Sequence, residues 1–155
     1  MSFSLKDSGP AETKKMMKRI FGKKPVVKVG IFGAKGDEPH EGSELTVLAI
    51  ATFHEFGLGV PERSFIRAWC DSHQKDVEER LARDSQLAAK GEISWEQAME
   101  RLGLYIVGGI QEYIASNIPP PLADSTVKSK GSNVALINTG QLRSSVTYEV
   151  GDKSE

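Results

Sequence analysis

Between residues 89 and 97 the chain carries a stop signal for one helix and a start signal for the next, and this junction governs how the segments around it can pack. Lys90 complements the negative end of a helix, and Gly91 can take the left-handed conformation that ends one. Just beyond, Ser94-Trp95-Glu96-Gln97 has the spacing of a capping box, in which the serine oxygen and the glutamine side chain each satisfy an otherwise orphaned backbone N–H. Upstream, Ile66, Trp69, Cys70, His73, Val77 and Leu81 share one helical face in a run that starts near residue 64. Downstream, Trp95, Ala98, Met99, Leu102, Ile106, Ile110, Tyr113 and Ile114 repeat at three and four until Asn117-Ile118-Pro119-Pro120-Pro121 stops the run. Two long helices joined by so short a turn predict a helical hairpin. Gly103, Gly108 and Gly109 weaken the second helix by about 1 kcal/mol each relative to alanine, which points to close backbone packing or a bend there.

A hairpin of this kind needs something to cover its apolar face. Pro25-Val26-Val27-Lys28-Val29-Gly30-Ile31-Phe32 is short, β-branched and bounded by turn residues, as a strand should be. Ser145-Val146-Thr147-Tyr148-Glu149-Val150 alternates, with Val146, Tyr148 and Val150 on one face, and predicts a second strand. Residues 43–56 favour a short helix, with Thr46 available as its N-cap and Gly57 as its stop. A short helix over about 10–21 puts Met16, Met17, Ile20 and Phe21 on one side and Lys14, Lys15, Lys18 and Arg19 on the other, with Lys23 and Lys24 just beyond. That basic face is either solvated or free to meet phosphate or an acidic surface. Residues 33–42 and 128–133 read as surface loops, 122–126 as one capped helical turn, and the residues after Gly151 as frayed. The expected fold class is α+β: a small mixed or antiparallel sheet packed by a long helical hairpin, with short N-terminal and central helices, in a single domain.

Composition excludes several function classes. The formal net charge is −1, so the chain as a whole is not a polyanion binder, and a single cysteine, Cys70, forbids an internal disulfide or a cluster of zinc thiolates. Cys70 lies on the apolar helical face, where burial as a small hydrophobe is expected. No apolar run approaches the ~20 residues of a membrane span, and the first residues lack the apolar core of a signal peptide, so a protein folding in the cytoplasm is expected. His54-Glu55 invites a zinc-protease reading, but that chemistry needs a second histidine one turn on, and position 58 is Leu58. His40 and His73 are isolated in sequence. Gly30, Gly33 and Gly36 lack the spacing of a dinucleotide-binding loop, and no lysine follows Gly131 as a phosphate-binding loop requires. The carboxylates of Asp76, Glu78, Glu79 and Asp84 alternate with Lys75, Arg80 and Arg83 as on a solvated helix face. No catalytic, cofactor or metal site is expected.

Two segments carry a pattern of another kind. Ala51-Thr52-Phe53-His54-Glu55-Phe56-Gly57, followed by Val60-Pro61-Glu62-Arg63-Ser64-Phe65-Ile66-Arg67, resembles the His-Glu-Phe-Gly and Pro-x-Arg-x-Phe-x-Arg signature of the phage HK97 gp10-like family of tail completion (neck) proteins. Leu136-Ile137-Asn138-Thr139-Gly140-Gln141-Leu142-Arg143-Ser144-Ser145-Val146 is similar to that family's closing motif. Ser64 stands where many relatives carry proline, and Asn138 where aspartate is common. The resemblance implies a structural, non-enzymatic virion protein that completes the tail for joining to the head. Its partners would be copies of itself in a ring, with six the family-based expectation, together with adjacent neck and tail proteins and at most weak contact with DNA in the channel. Virion neck or tail would be its destination, and the host cytoplasm its place of assembly. A tail terminator or other minor tail protein, or a DNA-binding accessory protein using the basic N-terminal segment, are the alternatives.

A ring closes through heterologous patches, and the motif residues His54, Glu55, Phe56, Arg63, Phe65, Arg67, Gln141 and Arg143 are the interface candidates. Phe56 and Phe65 could anchor an apolar contact or lock the turn onto the core, while Arg63 and Arg67 could form directional carboxylate pairs. Thr139 is expected to cap locally, and Arg143 to face a neighbour.

Overall fold

The computed structural model describes residues 14, 15, 17, 18, 22, 25–130, 135, 136 and 139–151. In chain order its elements are β1 (Val26–Gly30), α1 (Gly33–Asp37), α2 (Val47–Phe56), α3 (Arg67–Lys90), α4 (Trp95–Ala115), α5 (Asp124–Lys130), α6 (Gln141–Ser145) and β2 (Thr147–Gly151). The fold is mixed α+β: a two-stranded antiparallel sheet packs on the α3–α4 hairpin, and short helices surround it.

The hairpin forms where its local chemistry demands. Ser94 Oγ accepts the Gln97 amide at 3.0 Å while the Gln97 side chain accepts the Ser94 amide at 2.8 Å, closing the capping box. Gly91, at φ 79°, ends α3 in the left-handed region. Along α4 the residues Ala98, Met99, Leu102, Ile106, Ile110 and Ile114 are buried, a continuous stripe at helical spacing. Above this stripe Val27 pairs with Val150 and Val29 with Tyr148 across the sheet, and these side chains pack toward the core. Two of the three α4 glycines are there for close approach. A Cβ at Gly103 would lie 2.6 Å from the Tyr148 ring and one at Gly109 2.2 Å from the Trp69 ring, whereas Gly108 has nothing within 4 Å.

Several elements differ from the sequence expectation. Residues 33–37, read as loop, form a helical turn in which Gly36 is buried beside Leu48 and Ile31. The long helix begins at Arg67, after a bend at 65–66, and not near residue 64. The turn expected at 122–126 extends as α5 to residue 130, into part of the segment read as loop. Ser145 belongs to a helix, not a strand: α6 ends there with Ser145 Oγ donating to the Gln141 carbonyl at 2.8 Å, and β2 starts two residues later. Cys70 is half-buried against the core rather than enclosed, with burial and the charges of Asp71 and Glu55 raising its thiol pKa. Leu81, placed on the apolar face, is 38% exposed. Of the expected N-terminal helix, Lys14, Lys15, Met17 and Lys18 are helical, and its other residues lie outside the described ones, as do residues 152–155. No helix among the described residues is long and apolar enough to cross a membrane.

Candidate interaction surface

The first motif folds into a reciprocal clamp between two helix ends. Thr46 caps α2 by accepting the Ala49 amide at 3.2 Å, and Val47, Ala51 and Glu55 fall on its buried face. Gly57, at φ 68°, ends the helix in the left-handed region, and the chain returns at Arg63, whose amide donates to the His54 carbonyl at 2.8 Å. This return brings the start of α3 onto Glu55. The Glu55 carboxylate accepts the amides of Phe65 at 2.8 Å, Ile66 at 3.1 Å and Arg67 at 2.9 Å, and the Ser64 hydroxyl at 2.8 Å. Ile66 offers no side-chain cap, so a carboxylate from the neighbouring helix satisfies the orphan amides and places negative charge at the positive end of α3.

Arg67 completes the clamp from the other side. Its guanidinium donates to the Glu55 backbone carbonyl, at the negative end of α2, and to the Glu55 carboxylate at 3.2 Å and Glu62 at 2.9 Å. Its charge also lies 4.8 Å from the centre of the Phe56 ring. Burial alone would raise the Glu55 pKa, but the donors from Arg67, Ile66, Ser64 and Phe65 together outweigh it and hold the carboxyl below its ordinary value.

The candidate residues separate into interior and surface. Phe65 is fully buried, and Glu55 and Arg63 nearly so. Arg63 does not present its charge to a partner: Nε and Nη2 both donate to the Pro120 carbonyl, at 2.9 and 2.7 Å, and burial lowers its pKa from the usual arginine value. Gln141 uses both ends of its amide on the backbone, Oε1 accepting the Glu41 amide at 2.9 Å and Nε2 donating to the Pro39 carbonyl at 3.0 Å. Thr139 Oγ1 accepts the Gln141 amide at a long 3.4 Å, while Gly140 holds the N-cap position. His54 is half-buried beside a cavity of about 390 Å³ that His40 and Ser43 also line. The surface itself carries Phe56 at 54% exposure, Arg67 with its side chain half exposed, and Arg143.

Around Phe56 the structure adds residues that the sequence did not single out. Leu48 on α2, and Leu45 and Leu58 on its flanks, are all more than two-fifths exposed. A small apolar depression of about 250 Å³ lies among Leu48, Phe56, Ile66 and Arg67. The signal for Leu48 was available, because Leu48, Thr52 and Phe56 form a row at i, i+4 and i+8 beside the row of Val47, Ala51 and Glu55. The second motif joins the first in space, since α6 packs against α2. No three or more His, Cys, Asp or Glu side chains among the described residues could together hold a metal ion. Comparisons with protein-family models, curated proteins and solved structures find no match to this chain.

Proposed function

We propose that this chain is a structural subunit of the phage head-to-tail connection, a non-enzymatic protein that completes the tail as one member of a homo-oligomeric ring. The observation that carries the reading is the exposure of Leu48 and Phe56, which line one apolar depression on a helix whose end is locked by the Glu55–Arg67 clamp. Exposed apolar side chains on a rigid support, with an arginine at the rim, are the anatomy of a protein contact. The resemblance of segments 51–67 and 136–146 supports the same reading, as does the packing of α2 on α6, which joins the two segments into one structural unit. In this reading Phe56 and Arg67 meet a neighbouring ring subunit, Arg143 meets an adjacent neck or tail protein, and six copies close the ring. The subunit joins the virion neck after folding in the host cytoplasm.

Assembly complementation tests this. Phage lacking the gene should accumulate filled heads and separate tails, which join when the purified protein is added. Joined, infectious particles without the protein would overturn the reading. A second reading, a DNA-binding accessory protein, rests on Lys14, Lys15 and Lys18, which are helical and exposed. It requires tight duplex binding that weakens steeply with salt as counterions are released.

A further inference from the structure

The outward side of α4 carries features that its own chain does not use. Leu104 is 60% exposed, more than any apolar side chain of the Phe56 surface. It stands at the middle of a ridge of residues spaced four apart, Glu96, Glu100, Leu104, Gly108 and Glu112, all of them exposed and turned away from the buried stripe. Among the described residues none of the three glutamate side chains is ion-paired or hydrogen-bonded, whereas nearby charges of the hairpin are matched, Asp84 with Arg83 and Arg101 and Lys75 with Glu79. Glu96 and Glu100, one turn apart, repel each other. Gly108 weakens the helix, yet a Cβ there would meet nothing within 4 Å, unlike those at Gly103 and Gly109. An exposed leucine, uncompensated negative charge and an open gap on one ridge are suited to a cationic helix with an apolar side chain at its centre.

The chain carries that complement. Lys14, Lys15, Met17 and Lys18 are helical and exposed, Met17 at 56%, and among the described residues no carboxylate pairs with the three lysines. Three unpaired ammonium groups around one methionine thus match three unpaired carboxylates around one leucine and a gap. The helix does not reach along the ridge of its own chain. Lys15 lines a cleft at the α3–α4 turn beside Glu96, and Leu104 lies about 12 Å further along α4 at the helical rise, with Glu112 as far again beyond it. Two other partners within the chain fit less well. Antiparallel pairing of two α4 ridges with Leu104 against Gly108 sets Glu100 of each copy against Glu112 of the other, a repulsive match. At the Phe56 surface the arginine is already held by Glu55 and Glu62.

We propose that Lys14, Lys15, Met17 and Lys18 of one copy dock on the Glu96–Glu112 ridge of a second copy, with Met17 beside Leu104 over the gap at Gly108. The two patches differ, so the contact is heterologous and passes from copy to copy, as a ring requires. It rests on the homo-oligomeric ring proposed above, to which it adds a second pair of contacting patches, and not on head–tail joining. Disulfide trapping and sedimentation of the full chain test it. Oxidation of the Met17→Cys/Leu104→Cys chain should give a ladder of linked copies, which neither single variant nor the wild type gives. Lys14→Glu/Lys18→Glu and Glu100→Lys/Glu112→Lys should each weaken self-association by about tenfold or more, and the four substitutions combined in one chain should restore it. Gly108→Ala should weaken association while leaving the subunit folded. Self-association of the wild type without a ladder or a charge-swap rescue would overturn this contact and leave the ring standing, whereas a wild type that stays monomeric at every concentration and on purified tails would overturn both. A Met17–Leu104 disulfide closed within one chain would make the occupant that chain's own helix and overturn the proposal. A Leu104→Cys chain that links instead to an added neck or tail protein would overturn it in that partner's favour.

Discussion

The Glu55 carboxylate and the Arg67 side chain each occupy the helix end that the other residue's helix provides. Glu55 accepts the Arg67 amide at 2.9 Å at the positive end of α3, and Arg67 donates to the Glu55 carbonyl at the negative end of α2. Each charge thus meets the opposite partial charge of a helix dipole as well as its partner. The 24-residue α3 is thereby set at a fixed angle to the helix that bears Phe56.

Replacing Glu55 by Gln keeps one acceptor oxygen but turns an amide N–H₂ toward backbone donors. The expected loss is about 2–3 kcal/mol in chemical denaturation. The wild-type chain should also lose stability in acid. The folded carboxyl titrates below its ordinary value of 4.5, so the unfolded chain takes up the proton first as pH falls. The stabilisation is therefore complete above that value and disappears as pH drops through the lower, folded one. Glu55→Gln should flatten this part of the pH profile. An unchanged acid limb would remove Glu55 as its source.

Arg63 holds the 119–121 segment from the inside through two hydrogen bonds to one carbonyl. Arg63→Ala should cost about 2–4 kcal/mol, since it removes both donors from the Pro120 carbonyl and leaves a cavity where a buried side chain stood. Arg63→Lys should recover little of this, because an ammonium cannot reproduce the paired donors of the guanidinium fork. Thermal melts of the three proteins decide the point, and full recovery by lysine would show that charge alone matters.

The three α4 glycines should behave differently from one another. Gly103→Ala and Gly109→Ala drive a methyl group into the Tyr148 and Trp69 rings and should each destabilise by about 1–3 kcal/mol. Gly108→Ala meets open space and should stabilise by up to about 1 kcal/mol. Denaturant midpoints for the three single variants check this order.

On the proposed role, substitution of Phe56 should separate stability from assembly. Phe56→Ser should change stability by about 0.5 kcal/mol or less, because the ring is largely exposed. The same variant should fail to rescue head–tail joining in the complementation assay. Rescue at the wild-type level would move the contact away from α2.

What the sequence disclosed was what is decided locally. The Ser94–Gln97 box, the Thr46 cap and the stops at Gly57 and Gly91 depend on residues within a turn of one another, and all four stand where expected. The α1 turn was hidden because Gly33-Ala34-Lys35-Gly36-Asp37 has no apolar periodicity, and its burial depends on Leu48 and Ile31. Ser145 misled because its alternation with Val146 and Thr147 has a strand's period, while its hydroxyl is bound to the Gln141 carbonyl of a helical turn. The motif residues include both buried and exposed side chains, and the resemblance does not say which are which. Nothing in the spacing of Glu55, Arg63 and Phe65 says that they face inward while Phe56 faces out, since that depends on how the 57–63 turn folds back.

Gln141 grips the backbone at residues 39 and 41, and β2 pairs with β1 in the same closing contact between distant parts of the chain. Contacts across a hundred or more residues carry a large loop-closure entropy, whereas the α3–α4 hairpin forms from neighbours. Chain-closure entropy therefore favours forming the hairpin first and drawing 141–151 across to 26–41 last. A ribosome-bound chain that lacks this stretch has its helices but not the α6 support beneath α2. The Phe56 face therefore gains its support from α6 only after synthesis of that stretch.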